Sequence, residues 1–170
     1  MTVKEITDTA LSIMGYTGQN GNERFTRRIM NKVIPIFNVV YQDIWNIEMT
    51  PQNLMQWYRL HDVEKYKELR TLLPRDRILY LQEQCQFVPA EGFSDNITFK
   101  STLEDRAIEA MKYGVAAFLA QSEDDGDNQA LWMSMYNKKR AGLTHVNKVL
   151  DVAPKVLERY EDENLPYPTY

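Results

Sequence analysis

The run Tyr113-Gly-Val-Ala-Ala-Phe-Leu-Ala120 narrows more than any other stretch what this chain can become. It ends a segment in which Leu103, Ala107, Ile108, Met111, Val115, Phe118 and Leu119 recur at helical spacing. A helix that is apolar nearly all round is a buried one, so other elements have to surround it. Ser101 and Glu104 stand at the spacing of a capping box that would open it. After the acidic turn Glu123-Asp124-Asp125-Gly126-Asp127, Asp127 is placed to cap a second helix. Trp132, Tyr136, Leu143, Val146 and Leu150 repeat along that helix at 4/3 spacing, with Lys139 in the intervening position, and Pro154 should stop it. A hub helix and a long partner are the expected centre of the fold.

The rest of the chain reads as helices gathered on that hub. Thr2 and Glu5 form another capping box, Ile6, Ala10, Ile13 and Met14 follow, and Gly15 stands at a left-handed C-terminal cap before the loop Tyr16 to Asn22. Phe25, Ile29, Val33, Phe37, Val40, Ile44 and Ile47 then make one long strip whose phase survives Pro35, so a kinked single helix is expected there. Thr50-Pro51 opens a short helix with Leu54, Met55, Trp57 and Tyr58, and a charged helix from His61 to Leu73 ends at Pro74. From Arg77 to Val88 the period shifts: Leu79, Leu81, Cys85 and Phe87 lie on alternate positions, as do Ile97 and Phe99. That alternation predicts a small β-hairpin with its exposed tip at Ala90 to Asp95. With 170 residues, 44% of them apolar, the chain can bury one core. The expected architecture is therefore mainly α: a helical bundle over 1–154 with a small β-hairpin, and an extended C-terminal tail over 155–170.

Composition and motifs exclude more chemistry than they offer. A net charge of −4 gives no overall attraction to nucleic acid or to an anionic membrane. The longest apolar run, Val115 to Ala120, is far short of the ~20 residues that cross a bilayer. No signal peptide is legible, so a soluble chain made in the cytoplasm is expected. A single cysteine, Cys85, rules out an internal disulfide. Treating Gly126 as the sixth position of an EF-hand puts Trp132 where a bidentate Glu is needed, so the acidic turn reads as a helix connection. His61 and His145 lack partners at metal-ligand spacing, and neither a nucleophile elbow nor a phosphate-cradling loop occurs. Catalysis, cofactors and metals are not expected. Two basic clusters, Arg24, Arg27, Arg28 with Lys32 and Lys138, Lys139, Arg140, read as solvated or intersubunit faces. The competing reading is a helical nucleic-acid-binding regulatory protein that uses them as its contact.

Two stretches resemble a known family. Thr2-Val-Lys-Glu-Ile-Thr-Asp-Thr-Ala-Leu-Ser-Ile-Met-Gly15, and above all Leu103 to Leu131 running into Tyr136-Asn-Lys-Lys-Arg-Ala141, are similar to the head-to-tail connector (adaptor) proteins of tailed bacteriophages. The resemblance implies a non-enzymatic virion protein of the neck, forming a homo-oligomeric ring beneath the portal protein and joining the capsid to a downstream tail or stopper protein. It also implies that double-stranded DNA passes through the channel without sequence-specific binding, during packaging and ejection, and that no membrane is involved. By the same resemblance the portal contact falls on Val156, Leu157, Tyr160, Leu165, Tyr167 and Tyr170 of the tail. The loop carrying Glu91, Phe93 and Asp95 would face the tail side.

Overall fold

A computed structural model describes the backbone of residues 1–15, 23–123 and 126–150, and the side chains of 1–15, 29–123 and 126–147. The loop expected at Tyr16 to Asn22, Asp124 and Asp125 of the acidic turn, and the expected tail over 155–170 lie outside the described residues. Among the described residues the chain forms helices and no strand: α1 (Val3–Ile13), α2 (Glu23–Glu48), α3 (Pro51–His61), α4 (Val63–Thr71), α5 (Pro74–Gln84), α6 (Glu104–Ser122) and α7 (Gly126–Leu150).

The hub is where the apolar run places it. Ala107, Ala110, Met111, Val115, Ala116, Ala117, Leu119 and Ala120 of α6 are fully buried. The helix packs on α1, α2 and, most extensively, α7. Its many small side chains let those neighbours come close. At Gly114 an added Cβ would sit 2.6 Å from Val40 Cγ1 and 2.7 Å from Tyr136 Cε2, so a glycine is required where α2, α6 and α7 meet. From Ile29 to Ile44 the α2 strip is buried, with Ile29, Val33, Phe37, Val40 and Ile44 all at 0% exposure, and the helix runs through Pro35 as one element. The in-phase strip outweighs the one backbone hydrogen bond that a proline removes.

The hairpin does not form. Arg77 to Val88 mostly belongs to α5, and the only pairing of strand type among the described residues is an isolated bridge between Thr2 and Asn96. Pro74 at the first helical position supplies a ready φ for α5. Of the alternating residues, Leu81 is buried whereas Leu79 is 54% exposed, so the period of two did not mark one face. The chain from Cys85 to Thr102 instead crosses the bundle as an irregular segment held by side chains of α2. The Asn38 amide donates to the Ala90 carbonyl at 2.9 Å and accepts from the Ala90 N–H at 2.8 Å, and Trp45 Nε1 donates to the Cys85 carbonyl at 2.8 Å. Tyr41, Trp45, Phe87 and Phe99 pack edge-on or tilted around it. With its backbone served in this way, the segment needs no partner strand.

The second capping box also differs from expectation. Leu103 is the N-cap of α6 and gives no side-chain cap, while Ser101 Oγ donates to the Glu48 carboxylate at 2.7 Å. A fully buried acid at the end of α2 has claimed the hydroxyl. The first capping box is as expected, and Gly15 has the left-handed φ of +84°.

Candidate assembly surfaces

The residues Glu91, Phe93 and Asp95 are not the tip of a hairpin; their loop closes the N-terminus of α1. Four N–H groups at a helix start lack intrahelical partners. Here the Thr2 N–H donates to the Glu5 carboxylate at 2.7 Å, and that of Glu5 to Thr2 Oγ1 at 3.2 Å. The remaining two, Val3 and Lys4, donate to the carbonyls of Asp95 and Phe93, both at 2.9 Å. Asp95 in turn shapes the loop, accepting from the N–H groups of Glu91 at 2.7 Å and Gly92 at 3.0 Å. Those two bonds hold its carboxyl below the ordinary aspartate value. Glu91 remains exposed, and Phe93 is half-buried against the core.

The basic residues divide. Arg24, Arg27 and Arg28 lie on the first turns of α2, and their side chains fall outside the described ones. Lys138 is exposed on α7. Its neighbours are engaged within the molecule. Lys139 pairs with Glu109 at 2.9 Å and stands over the Tyr113 ring, and Arg140 grips Asp43 through two bonds of 2.6 and 2.9 Å. Tyr136 also donates its hydroxyl to Asp43. Burial pushes the Asp43 carboxyl up, but hydrogen bonds from Arg140 and Tyr136, together with the Arg140 charge, more than offset that and leave it below its ordinary value. These charges tie α7 to α2 and α6, which leaves Lys138 as the one cation of the α7 cluster with no ion pair among the described residues.

Two features escaped the sequence reading. Glu48 is 0% exposed and accepts from Ser101 Oγ and, at 2.8 Å, from Asn147 Nδ2. Asn53 Nδ2 donates to the Glu48 carbonyl at 2.8 Å and to Asn147 Oδ1 at 3.2 Å, so one polar knot joins α2, α3, α7 and the approach to α6. The place of Glu48 four residues after Ile44, on the buried strip, was the available signal. The second feature is apolar surface on the α3–α5 side. Leu60, Val63, Leu73, Ile78 and Leu79 are 48–71% exposed, with Leu72 close behind. The adjacent pair Ile78-Leu79 could have indicated it, because neighbouring residues on a helix do not share a face.

The six tail residues assigned to a portal contact, Val156, Leu157, Tyr160, Leu165, Tyr167 and Tyr170, lie outside the described residues. His61 stacks near the Trp57 ring, and His145 is exposed. Among the described residues no group of three His, Cys, Asp or Glu side chains could hold a metal ion. No helix among them is long and apolar enough to cross a membrane. No family model, curated protein or solved structure matches the chain.

Proposed function

We propose that this chain is the structural subunit of a head-to-tail connector in a tailed bacteriophage, made in the host cytoplasm and assembled in the neck of the virion as a ring beneath the portal protein. The observation that carries the reading is the contrast between a fully buried hub helix and the large apolar side chains left in solvent on α3, α4 and α5. A rigid scaffold with apolar surface to spare is what an assembly subunit offers its neighbours. The similarity of Thr2 to Gly15, Leu103 to Leu131 and Tyr136 to Ala141 to connector proteins supplies the identity of the assembly. In this reading the tail over 155–170 docks on the portal and a downstream tail or stopper protein takes the opposite side. A net charge of −4 suits a channel wall that lets DNA pass without holding it. The role is non-catalytic.

Mixing the protein with its cognate portal and imaging single particles tests this. A ring of copies stacked on the portal is expected, lost when 155–170 is deleted. Protein that stays monomeric and separate from the portal at high concentration overturns it. The regulatory alternative requires DNA binding that weakens steeply with salt. With Lys139 and Arg140 already paired to Glu109 and Asp43, little such binding is expected from α7.

A further inference from the structure

The last turns of α7 are held differently from the rest of the helix. Leu143 is the last of its described side chains to be buried; Thr144, Val146 and Asn147 are half-buried and His145 is exposed. Asn147 carries the attachment. Its Nδ2 donates to Glu48 Oε1 at 2.8 Å and to the Ile47 carbonyl at 3.3 Å, and its Oδ1 accepts from Asn53 at 3.2 Å. Beside it a cleft of about 350 Å³ opens between α7 and the junction of α2 with α3, with Ile47, Asn53 and Thr144 among its walls. Beyond Leu143 the grip is therefore polar, and polar contacts exchange for water at little net cost.

Two further features favour movement there. Gly142 directly precedes the last buried residue, and an added Cβ on it would meet nothing within 4 Å, in contrast to Gly114. Packing does not require this glycine, and helix propensity opposes it. Thr144 Oγ1 donates back to the Arg140 carbonyl at 3.1 Å, a bond of the kind that bends helices, so a glycine and a hydroxyl weaken the same turn. The second feature is Glu48. It is fully buried, and its carboxylate accepts from the neutral side chains of Ser101 and Asn147, with no ion pair among the described residues. A carboxylate buried against neutral donors carries a desolvation penalty that water relieves.

We propose that α7 is hinged at Gly142 and latched at Glu48, and that the structure holds the latch closed. In the open arrangement Asn147 releases Glu48, Ile47 and Asn53, the helix from Thr144 onward swings out, and water reaches the carboxylate. Hydration of Glu48 and Asn147 offsets the three hydrogen bonds that are lost. Little apolar surface is exposed, because Leu143 stays in the core. The two arrangements therefore lie close in free energy, and the latch sets the direction in which the chain leaves α7. A partner that binds beyond the hinge and prefers one arrangement shifts the population toward it. The latch is a property of the single chain and goes beyond the connector reading.

Pulsed electron-spin distance measurement on the isolated full chain tests this, with nitroxide labels on Gln121→Cys and His145→Cys in a Cys85→Ser background. Both labelled positions are exposed, one at the end of α6 and one beyond the hinge. Two distances are expected. Asn147→Ala should move the ratio at least tenfold toward the open one. Gly142→Ala, which clashes with nothing, should move it about fivefold toward the closed one, the helix propensity difference between the two residues. Glu48→Gln keeps the shape and both hydrogen bonds but removes the buried charge, so it too should favour the closed distance. A single distance in all four proteins overturns the proposal, as does a Gly142→Ala ratio equal to that of the parent. A shift of Glu48→Gln toward the open distance also overturns it, since that is the result expected of a carboxylate acting only as a strong acceptor. None of these outcomes depends on a portal, so the connector reading stands or falls separately.

Discussion

At the scale of single residues, the tightest constraint is Gly114. Alanine there would gain about 1 kcal/mol in helix propensity over glycine. Its Cβ, however, would stand 2.6 Å from Val40 Cγ1 and 2.7 Å from the Tyr136 ring. Neither neighbour can swing away cheaply, since Val40 is fully buried and Tyr136 is fixed through its hydroxyl to Asp43. Overpacking of this kind costs about 1–3 kcal/mol, more than the propensity gain for all but the mildest clash. Gly114→Ala is therefore expected to lower the melting temperature by several degrees, at about 2–4 °C per kcal/mol for a chain of this size; a thermal melt followed by circular dichroism checks it. Cys85 makes a chemical prediction. Burial pushes its thiol up to about 11. Against an ordinary thiol the thiolate at pH 8 falls about a hundredfold, and the greater nucleophilicity of a more basic thiolate returns about tenfold, so alkylation should run about ten times slower than for an exposed cysteine. Timed labelling with iodoacetamide, native against denatured, reads this out.

At the scale of elements, the loop from Ala90 to Asp95 matters through what it closes. Asp95 shapes the loop whose carbonyls take the Val3 and Lys4 N–H groups, so Asp95→Ala should speed hydrogen exchange at those two amides while leaving α6 unchanged. The pH dependence has a definite sign. Because the folded-state carboxyl lies below its ordinary value of 3.8, its contribution is present at neutral pH and fades as pH falls from that value through the lower folded one. Protection of Val3 and Lys4 should decline over the same window. Elements with their own signals were legible in the sequence: the Thr2–Glu5 box, Thr50-Pro51, the α2 strip across Pro35, and the apolar run of α6. What failed was local pattern overridden by distant groups. The alternation from Leu79 to Phe87 looked like a strand, yet its backbone found helical bonds up to Gln84 and then Trp45 of α2 at Cys85, with Asn38 holding Ala90 just beyond. Ser101 looked like a cap, yet a carboxylate 53 positions away took its hydroxyl. No window of neighbouring residues contains either partner. The candidate surfaces were legible only as inventory: the α7 cations were visible as a cluster, but their pairing with Asp43 and Glu109 depends on how α2 and α6 pack.

At the scale of the whole molecule, the helices differ in how firmly they are held. α6 is enclosed by α1, α2 and α7, and the Glu48 knot fastens α2, α3 and α7 from one end. α4 and α5 make their main contacts with α3, bury only Tyr66, Leu69 and Leu81 between them, and leave Val63, Leu73, Ile78 and Leu79 in solvent. Opening that pair exposes little additional apolar surface, whereas opening α6 dismantles the core. Local opening free energies follow this difference. Native-state hydrogen exchange in increasing urea should therefore separate two classes. Amides of α4 and α5 should exchange through a small opening with a shallow urea dependence, and amides from Ala110 to Ala120 only through global unfolding, with the full m-value. If all of these amides shared one steep isotherm, the bundle and the α3–α5 side would be a single cooperative unit. An assembly contact on α4 and α5 adds a further consequence, because a partner that binds only the closed form stabilises it by mass action. Raising protein concentration into the assembling range should then slow exchange in α4 and α5 first, and leave the α6 amides at their global limit.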